Sequence, residues 1–394
     1  MTNSLKMNQR LSNRVQSIKP SGIRRFFDLA STMDNIISLG VGEPDFVTPW
    51  NVREASIASM EQGYTAYTAN AGIIELREEI SRYMYERFHV NYNPHDEVLV
   101  TVGASEAIDL AIRAIINPGD EVIVVEPSFV SYAPVVSLAG GVPVPIGTSK
   151  ENDFKLTPAQ IEKVITDKTK AIMLCFPNNP TGSVMTKEEL ETIAKVVEKY
   201  DLLVLSDEIY AELSYDHEHH CFSRIEGMRE RTVIISGFSK AFAMTGWRLG
   251  YATGPEDIIS AMLKIHQYTM MCASTQAQFG ALEALRSGLD DVNKMVQSYR
   301  QRRNFIVKSF AEIGMPCHTP GGAFYAFPSI SETGFTSEQF AEKLLMEERV
   351  AVVPGNVFGA GGEGHIRCSY ATSMDNLEEA VKRIQRFLKK AKQV

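Results

Sequence analysis

Short apolar runs alternate with amphipathic segments along most of this chain. Glu97–Gly103, Glu121–Glu126, Ala171–Phe176, Leu202–Ser206, Thr232–Ser236 and Leu249–Thr253 are dominated by Val, Ile and Leu. Such runs are the signature of strands covered on both faces. The segments between them carry helix start signals. Thr48-Pro49 offers a Thr N-cap with Pro at the first helical position, and Gly63 stops that helix. Thr157-Pro158 repeats the device, and Thr186 with Glu189 forms a capping box ahead of Leu190–Tyr200. Strands alternating with helices predict an α/β fold with a mostly parallel, helix-covered sheet.

Past residue 285 the pattern changes. A long charged helix over Asp290–Ile313 leads to Gly321–Phe327, a helix near Glu338–Glu348, the runs Val350–Val353 and His365–Tyr370, and an amphipathic helix over Asp375–Lys390. This reads as a smaller α+β unit. The expected division is a large unit at 46–285 and a small unit from 1–45 with 286–394, leaving a cleft between them.

Composition narrows the class. The 394 residues are 44% hydrophobic and 22% charged, enough for a large core without disulfides or structural metals. Forty Lys and Arg against 48 Asp and Glu leave a net charge of −8, so no global basic field serves nucleic acid or an anionic membrane. Cys175, Cys221, Cys272, Cys317 and Cys368 form no CxxC pair, which excludes zinc ribbons and thioredoxin-like motifs. Scattered and odd in number, they suit reduced thiols in a cytoplasm. No window has the apolar length of a membrane span, and the first residues lack a signal-peptide core.

The chemistry concentrates at predicted strand ends. In Ser236-Gly-Phe-Ser239-Lys240-Ala-Phe-Ala-Met-Thr-Gly-Trp-Arg248, small residues let donors approach an anion and Arg248 can clamp it. Lys240 is positioned to form a Schiff base with a phosphate-bearing aldehyde. The same spacing also suits a solvated strand end. Asn179, in Phe176-Pro-Asn-Asn179-Pro180-Thr-Gly182, presents an amide after a buried strand, as a plain Asn-Pro turn also would. Asp207 follows the next strand, where ligands bind in open α/β sheets and where N-caps also occur. Gly103-Ala104-Ser105 sits between strand and helix, offering free N–H groups to phosphate. Phe129 ends another strand, free to stack on a ring or to pack in the core. Arg367, in an otherwise apolar run, needs an anionic partner, from substrate or from the protein itself.

Taken in order from Ser38-Leu-Gly40 to Tyr370-Ala371, these segments resemble the class I/II aminotransferases, pyridoxal-phosphate enzymes of fold type I. The resemblance implies transfer of an amino group from an L-amino acid to a 2-oxo acid, 2-oxoglutarate first among them, by a ping-pong mechanism. It implies pyridoxal 5′-phosphate held by Lys240 as an internal aldimine, with the freed amine shuttling the proton. Asp207 would pair with the ring nitrogen, and Tyr210 and Asn179 would hold the 3′ oxygen. Phe129 would stack on the ring. Gly103, Ala104, Ser105, Ser239 and Arg248 would hold the phosphate, with Ser236 as a further candidate. Arg367 would take the substrate α-carboxylate, supported by Asn179 and the backbone of Gly40. It also implies a homodimer in which Tyr67 reaches the neighbouring phosphate, and a cis bond at Asn179–Pro180.

Other features leave choices open. Ser105 stands where aspartate-specific relatives carry a lysine, so a distal carboxylate would need another cation, which Arg24 or Arg25 could supply unless both are solvated. Alanine, aspartate and aromatic donors all stay possible. His217-Glu-His219-His220 reads as a solvated loop, with no metal expected. Gly359–Gly364 lacks the GK[ST] of a P-loop and reads as a flexible loop near the site. A β-lyase or decarboxylase on the same fold, or a non-catalytic cofactor-binding regulator, are the alternatives. A nicotinamide dehydrogenase is excluded because Gly40-Val-Gly42-Glu-Pro is not GxGxxG.

Overall fold

The computed structural model describes residues 10–20, 22 and 33–391. Its centre is a seven-stranded sheet. The strands are β2 (Val98–Thr101), β3 (Glu121–Glu126), β4 (Val142–Gly147), β5 (Thr169–Cys175), β6 (Leu203–Asp207), β7 (Thr232–Gly237) and β8 (Gly250–Thr253). Their order is β2-β8-β7-β6-β5-β3-β4; β8 runs antiparallel to both β2 and β7, and the remaining pairs are parallel. Alternate residues of one strand enter different cores. Ala171 and Met173 join the cluster under the helices Gly103–Ile115 and Glu256–Thr269, while Ile172 and Leu174 join that under Lys187–Lys199. Burial on both faces is why these strands lack polar alternation.

The sequence pattern misses β4. Its residues VPVPIG include two prolines, and most of the strand is at least partly exposed. Proline cannot donate to a ladder on both sides, but β4 is an edge strand paired only with β3. Two start signals meet different fates. Thr186 and Glu189 form the capping box of Lys187–Lys199 as expected. The helix after Thr48-Pro49 begins one residue late, at Trp50, because the Thr48 hydroxyl instead donates to the Ala243 carbonyl at 2.6 Å and accepts from the Trp247 indole at 3.0 Å. A predicted cap has become a tertiary tie to the loop after Lys240.

The C-terminal elements follow the sequence closely: helices Leu289–Glu312, Ser337–Glu348 and Met374–Ala391. Between them β11 (Val353–Pro354), β12 (Ile366–Ser369) and β9 (Tyr325–Ala326) form an antiparallel sheet. β1 (Ile37–Ser38) pairs with β10 (Val350–Ala351), so an N-terminal segment does join these elements. One apolar cluster runs from Val100 and Tyr251 beside the large sheet through Phe324 to Leu377 and Phe387. The Gly359–Gly364 stretch, expected as a flexible loop, contains a short 3₁₀ turn at Ala360–Gly362. A Cβ at Gly359 would lie within 2.4 Å of the Glu126 carboxylate carbon, whose Oε2 accepts from the Ala360 N–H at 3.1 Å. At Gly362 a Cβ would lie 2.1 Å from the Gly355 carbonyl oxygen, so the glycines permit close packing.

Candidate active site

The carboxyl ends of β5, β6 and β7 open into a cavity of about 710 Å³. Register explains the convergence. Cys175 lies opposite Asp207, and Asp207 opposite Ile235, so the segments leaving these strands start side by side. Asn179, Asp207, Tyr210, Ser239 and Lys240 all line the cavity. Ala104 and Ser105 reach it from the first turn of Gly103–Ile115, and Phe129 from the segment after β3. Arg248 enters from the loop before β8 and Arg367 from β12. The Asn179–Pro180 peptide is cis, as are Glu126–Pro127 and Phe176–Pro177.

Four expected residues stand elsewhere. Gly40 does not line the cavity, but its carbonyl accepts from Arg367 Nη2 at 2.7 Å. Gly103 lies behind Arg248: its φ is +78°, and a Cβ there would sit 2.8 Å from the guanidinium. Ser236 turns away and donates to the Glu208 carbonyl at 3.5 Å, so the cavity lining leaves it out. Tyr67 is 80% exposed and outside the cavity of its own chain. Arg24 and Arg25 lie outside the described residues.

The electrostatics are those of an anion site with one buried carboxylate. Lys240 donates to the Gly42 carbonyl at 2.7 Å. Burial lowers its pKa to about 8, with Arg367 and Arg248 acting in the same direction and Glu43 and Asp207 opposing. An amine in that range exchanges protons readily near neutral pH. Burial raises Asp207 to about 6, although it accepts from the Tyr132 hydroxyl at 2.7 Å and the Ile209 N–H at 3.2 Å. Burial also holds Tyr210 well above the ordinary phenol range. Arg367 donates to Asn179 Oδ1 at 2.9 Å, stacks over Tyr325 and Phe358, and keeps its buried Nε without a partner among the described residues.

This donor set fits a phosphorylated pyridine aldehyde. Arg248, Ser239 and the helix start suit a phosphate. The Asp207 carboxylate, costly to bury alone, suits a protonated ring nitrogen. The Arg367 guanidinium still has donors free for a carboxylate.

Tyr132 and Tyr325 line the same cavity and were not among the expected residues. Tyr132 lies three residues beyond Phe129, and their rings meet edge to face at 5.7 Å. An i, i+3 aromatic pair at a strand end was the available signal. Tyr325 sits in the Gly321–Phe327 stretch, whose apolar character marks only a strand. The histidine loop also differs from the sequence reading. His219 is half-buried, packs edge to face on Phe88 and pairs at 2.7 Å with Glu208, itself 3% exposed. Burying that glutamate beside Asp207 requires such a partner. Among the described residues no group of three or more His, Cys, Asp or Glu is arranged to hold a metal, and no helix is long and apolar enough to cross a membrane.

Comparison with known proteins converges on one family. The family model "Aminotransferase class I and II" matches residues 34–384. YugH of Bacillus subtilis (strain 168) is 64% identical over 384 residues, covering 98% of this chain and 100% of that protein. An aspartate aminotransferase of Pyrococcus abyssi is 44% identical, covering 97% and 99%. The crystal structure of an aromatic aminotransferase from Pyrococcus horikoshii OT3 superposes with a TM-score of 0.90 at 43% identity, covering 95% of this chain and 100% of that one. The chain therefore belongs to the class I and II aminotransferases, fold type I enzymes that depend on pyridoxal phosphate.

Proposed function

We propose that the protein moves the amino group of an L-amino acid to 2-oxoglutarate, using one site for both half-reactions. The observation that carries this reading is the meeting of the Lys240 amine, the Asp207 carboxylate and the Arg367 guanidinium around one cavity. Bound there, pyridoxal phosphate supplies an electron sink for the carbon that bears the amino group. The protein's own residues do the rest. Arg248, Ser239 and the N–H groups of Ala104 and Ser105 hold the phosphate, and Phe129 covers a ring face. Asp207, held by Tyr132, accepts from the ring nitrogen. Tyr210 and Asn179 fix the 3′ oxygen, and Arg367 forks onto the substrate carboxylate. The Lys240 amine, eased toward neutrality by burial, carries the proton.

The exposed Tyr67 supports a homodimer in which it completes the phosphate site of the second copy, with residues 46–285 as the cofactor-binding unit. The scattered thiols suit a cytoplasmic enzyme. Among the described residues lining the cavity, the cations are Lys240, Arg248 and Arg367. A dicarboxylate would need another cation, which Arg24 or Arg25 could supply. Donors with alanine, aspartate and aromatic side chains are the classes to screen with 2-oxoglutarate, reading glutamate formed. Pyruvate and ammonia from a cystine-like donor, with no glutamate, would establish a β-lyase instead.

A further inference from the structure

We propose that Tyr325 is a positioning residue: its hydroxyl fixes the Tyr210 phenol as a donor toward the cofactor's 3′ oxygen, and its ring links that phenol to the Arg367 guanidinium. The proposal rests on the roles read above for Tyr210 and Arg367.

Tyr325 belongs to β9, opposite Ser369 of β12, the strand that also carries Arg367. It is 1% exposed, and the Arg367 guanidinium lies 4.5 Å above its ring. Its hydroxyl is 2.8 Å from that of Tyr210. A Cβ at residue 42 would come within 2.7 Å of the Tyr325 oxygen, so Gly42 leaves room for it. The carbonyl of that same glycine accepts from Lys240.

Donor accounting gives the bond between the phenols a direction. Each hydroxyl has one hydrogen to give and two lone pairs to receive with. Between Tyr210 and Tyr325 alone, either can donate. Once Tyr210 gives its hydrogen to the 3′ oxygen, only Tyr325 can donate in the shared bond. The two bonds then run head to tail and strengthen each other. The groups acting on Tyr325 are Arg367, Tyr210, Cys175 and Glu43. Arg367 lowers its pKa against the rise caused by burial, which makes it a better donor, and the buried Cys175 thiol stays neutral. A substrate carboxylate arriving on Arg367 cancels that cation. Tyr325 thereby passes the state of the carboxylate site to the cofactor's phenolic oxygen.

The test uses the cofactor-loaded, full-length protein as wild type, Tyr325→Phe, Tyr210→Phe and the double variant. The reading is the midpoint of the pH-dependent change in the cofactor's visible absorption. Tyr325→Phe should raise the midpoint by about 0.5 unit, roughly threefold in proton affinity, as expected for losing one neutral hydrogen bond. Tyr210→Phe should raise it further. The double variant should match Tyr210→Phe alone, because Tyr325 acts through Tyr210. Phenylalanine keeps a ring beneath Arg367, so KM for the amino donor should stay within about twofold while kcat falls. An unchanged midpoint in Tyr325→Phe, or a double variant whose shift equals the sum of the singles, overturns the proposal. A wild-type protein with no titrating chromophore instead overturns the underlying reading of Lys240 and Tyr210.

Discussion

Replacing Arg367 by lysine tests how the substrate is held. The side chain is 4% exposed, with two N–H groups committed to Asn179 and Gly40. Three of its five N–H donors remain, among them the unpartnered Nε. A carboxylate held by two of them gains roughly 3–6 kcal/mol from two charge-assisted bonds. Lysine keeps the charge but not the fork, so about half of that is lost. At about 1.4 kcal/mol per factor of ten, kcat/KM for an amino acid should fall roughly 10- to 150-fold. The assay is the amino-acid half-reaction followed by cofactor absorbance. The control is the primary amine with the same side chain and no carboxylate, whose slow turnover should change less than about threefold. Thermal melting should establish that the variant is folded. Equal losses for amine and amino acid would refute the argument, because Arg367 would then be supporting the site rather than reading the carboxylate.

Three further outcomes follow from the same geometry. Tyr132→Phe removes the 2.7 Å donor to Asp207, a charge-assisted bond worth roughly 1.5–3 kcal/mol. Cofactor affinity measured by dialysis should fall at least about tenfold with KM little changed, and retention within twofold would rule the tie out. Gly103→Ala strains a residue at φ +78° and pushes on Arg248, so the protein's preference for pyridoxal phosphate over unphosphorylated pyridoxal should shrink. An unaltered preference would separate Arg248 from the phosphate. Lys240 predicts a pH dependence in the cofactor-free protein. Its folded pKa of about 8 lies below the ordinary 10.5, so between those values the unfolded chain binds more protons and stability rises with pH. Relative to Lys240→Met, the wild type should gain about 3 kcal/mol across that window in denaturant titrations, and a flat difference would contradict the burial argument.

How far the sequence reached depends on what each residue answers to. Six of the large-sheet strands were legible because both their faces are buried, a property written in consecutive residues. β4 was not, since an edge strand tolerates prolines that would forbid a central one. Thr48 has the chemistry of a cap, yet its hydroxyl is claimed by Ala243 and Trp247 from nearly 200 positions away. His219 looks solvated in its polar loop until Glu208 is seen to be buried beside it. Local rules describe local choices, and long-range partners override them wherever a polar group must be satisfied.

The same distinction divides the site. Asp207 ends β6, while Asn179 and Lys240 follow the ends of β5 and β7, and these are adjacent parallel strands about 5 Å apart. Any chain that builds these strands in this order brings those three residues together, so they can be read from motifs alone. Arg367 comes from a separate sheet, and its arrival depends on β9 and β12 meeting the segments that leave the carboxyl ends of β5 and β6. Tyr132 and Tyr325 are further removed, because each acts through a hydroxyl whose partner lies 75 or 115 residues away. A motif marks groups that strand order alone delivers to an edge. The hydroxyls that orient those groups are set by packing between elements far apart in sequence, and there the structure adds what spacing along the chain does not contain.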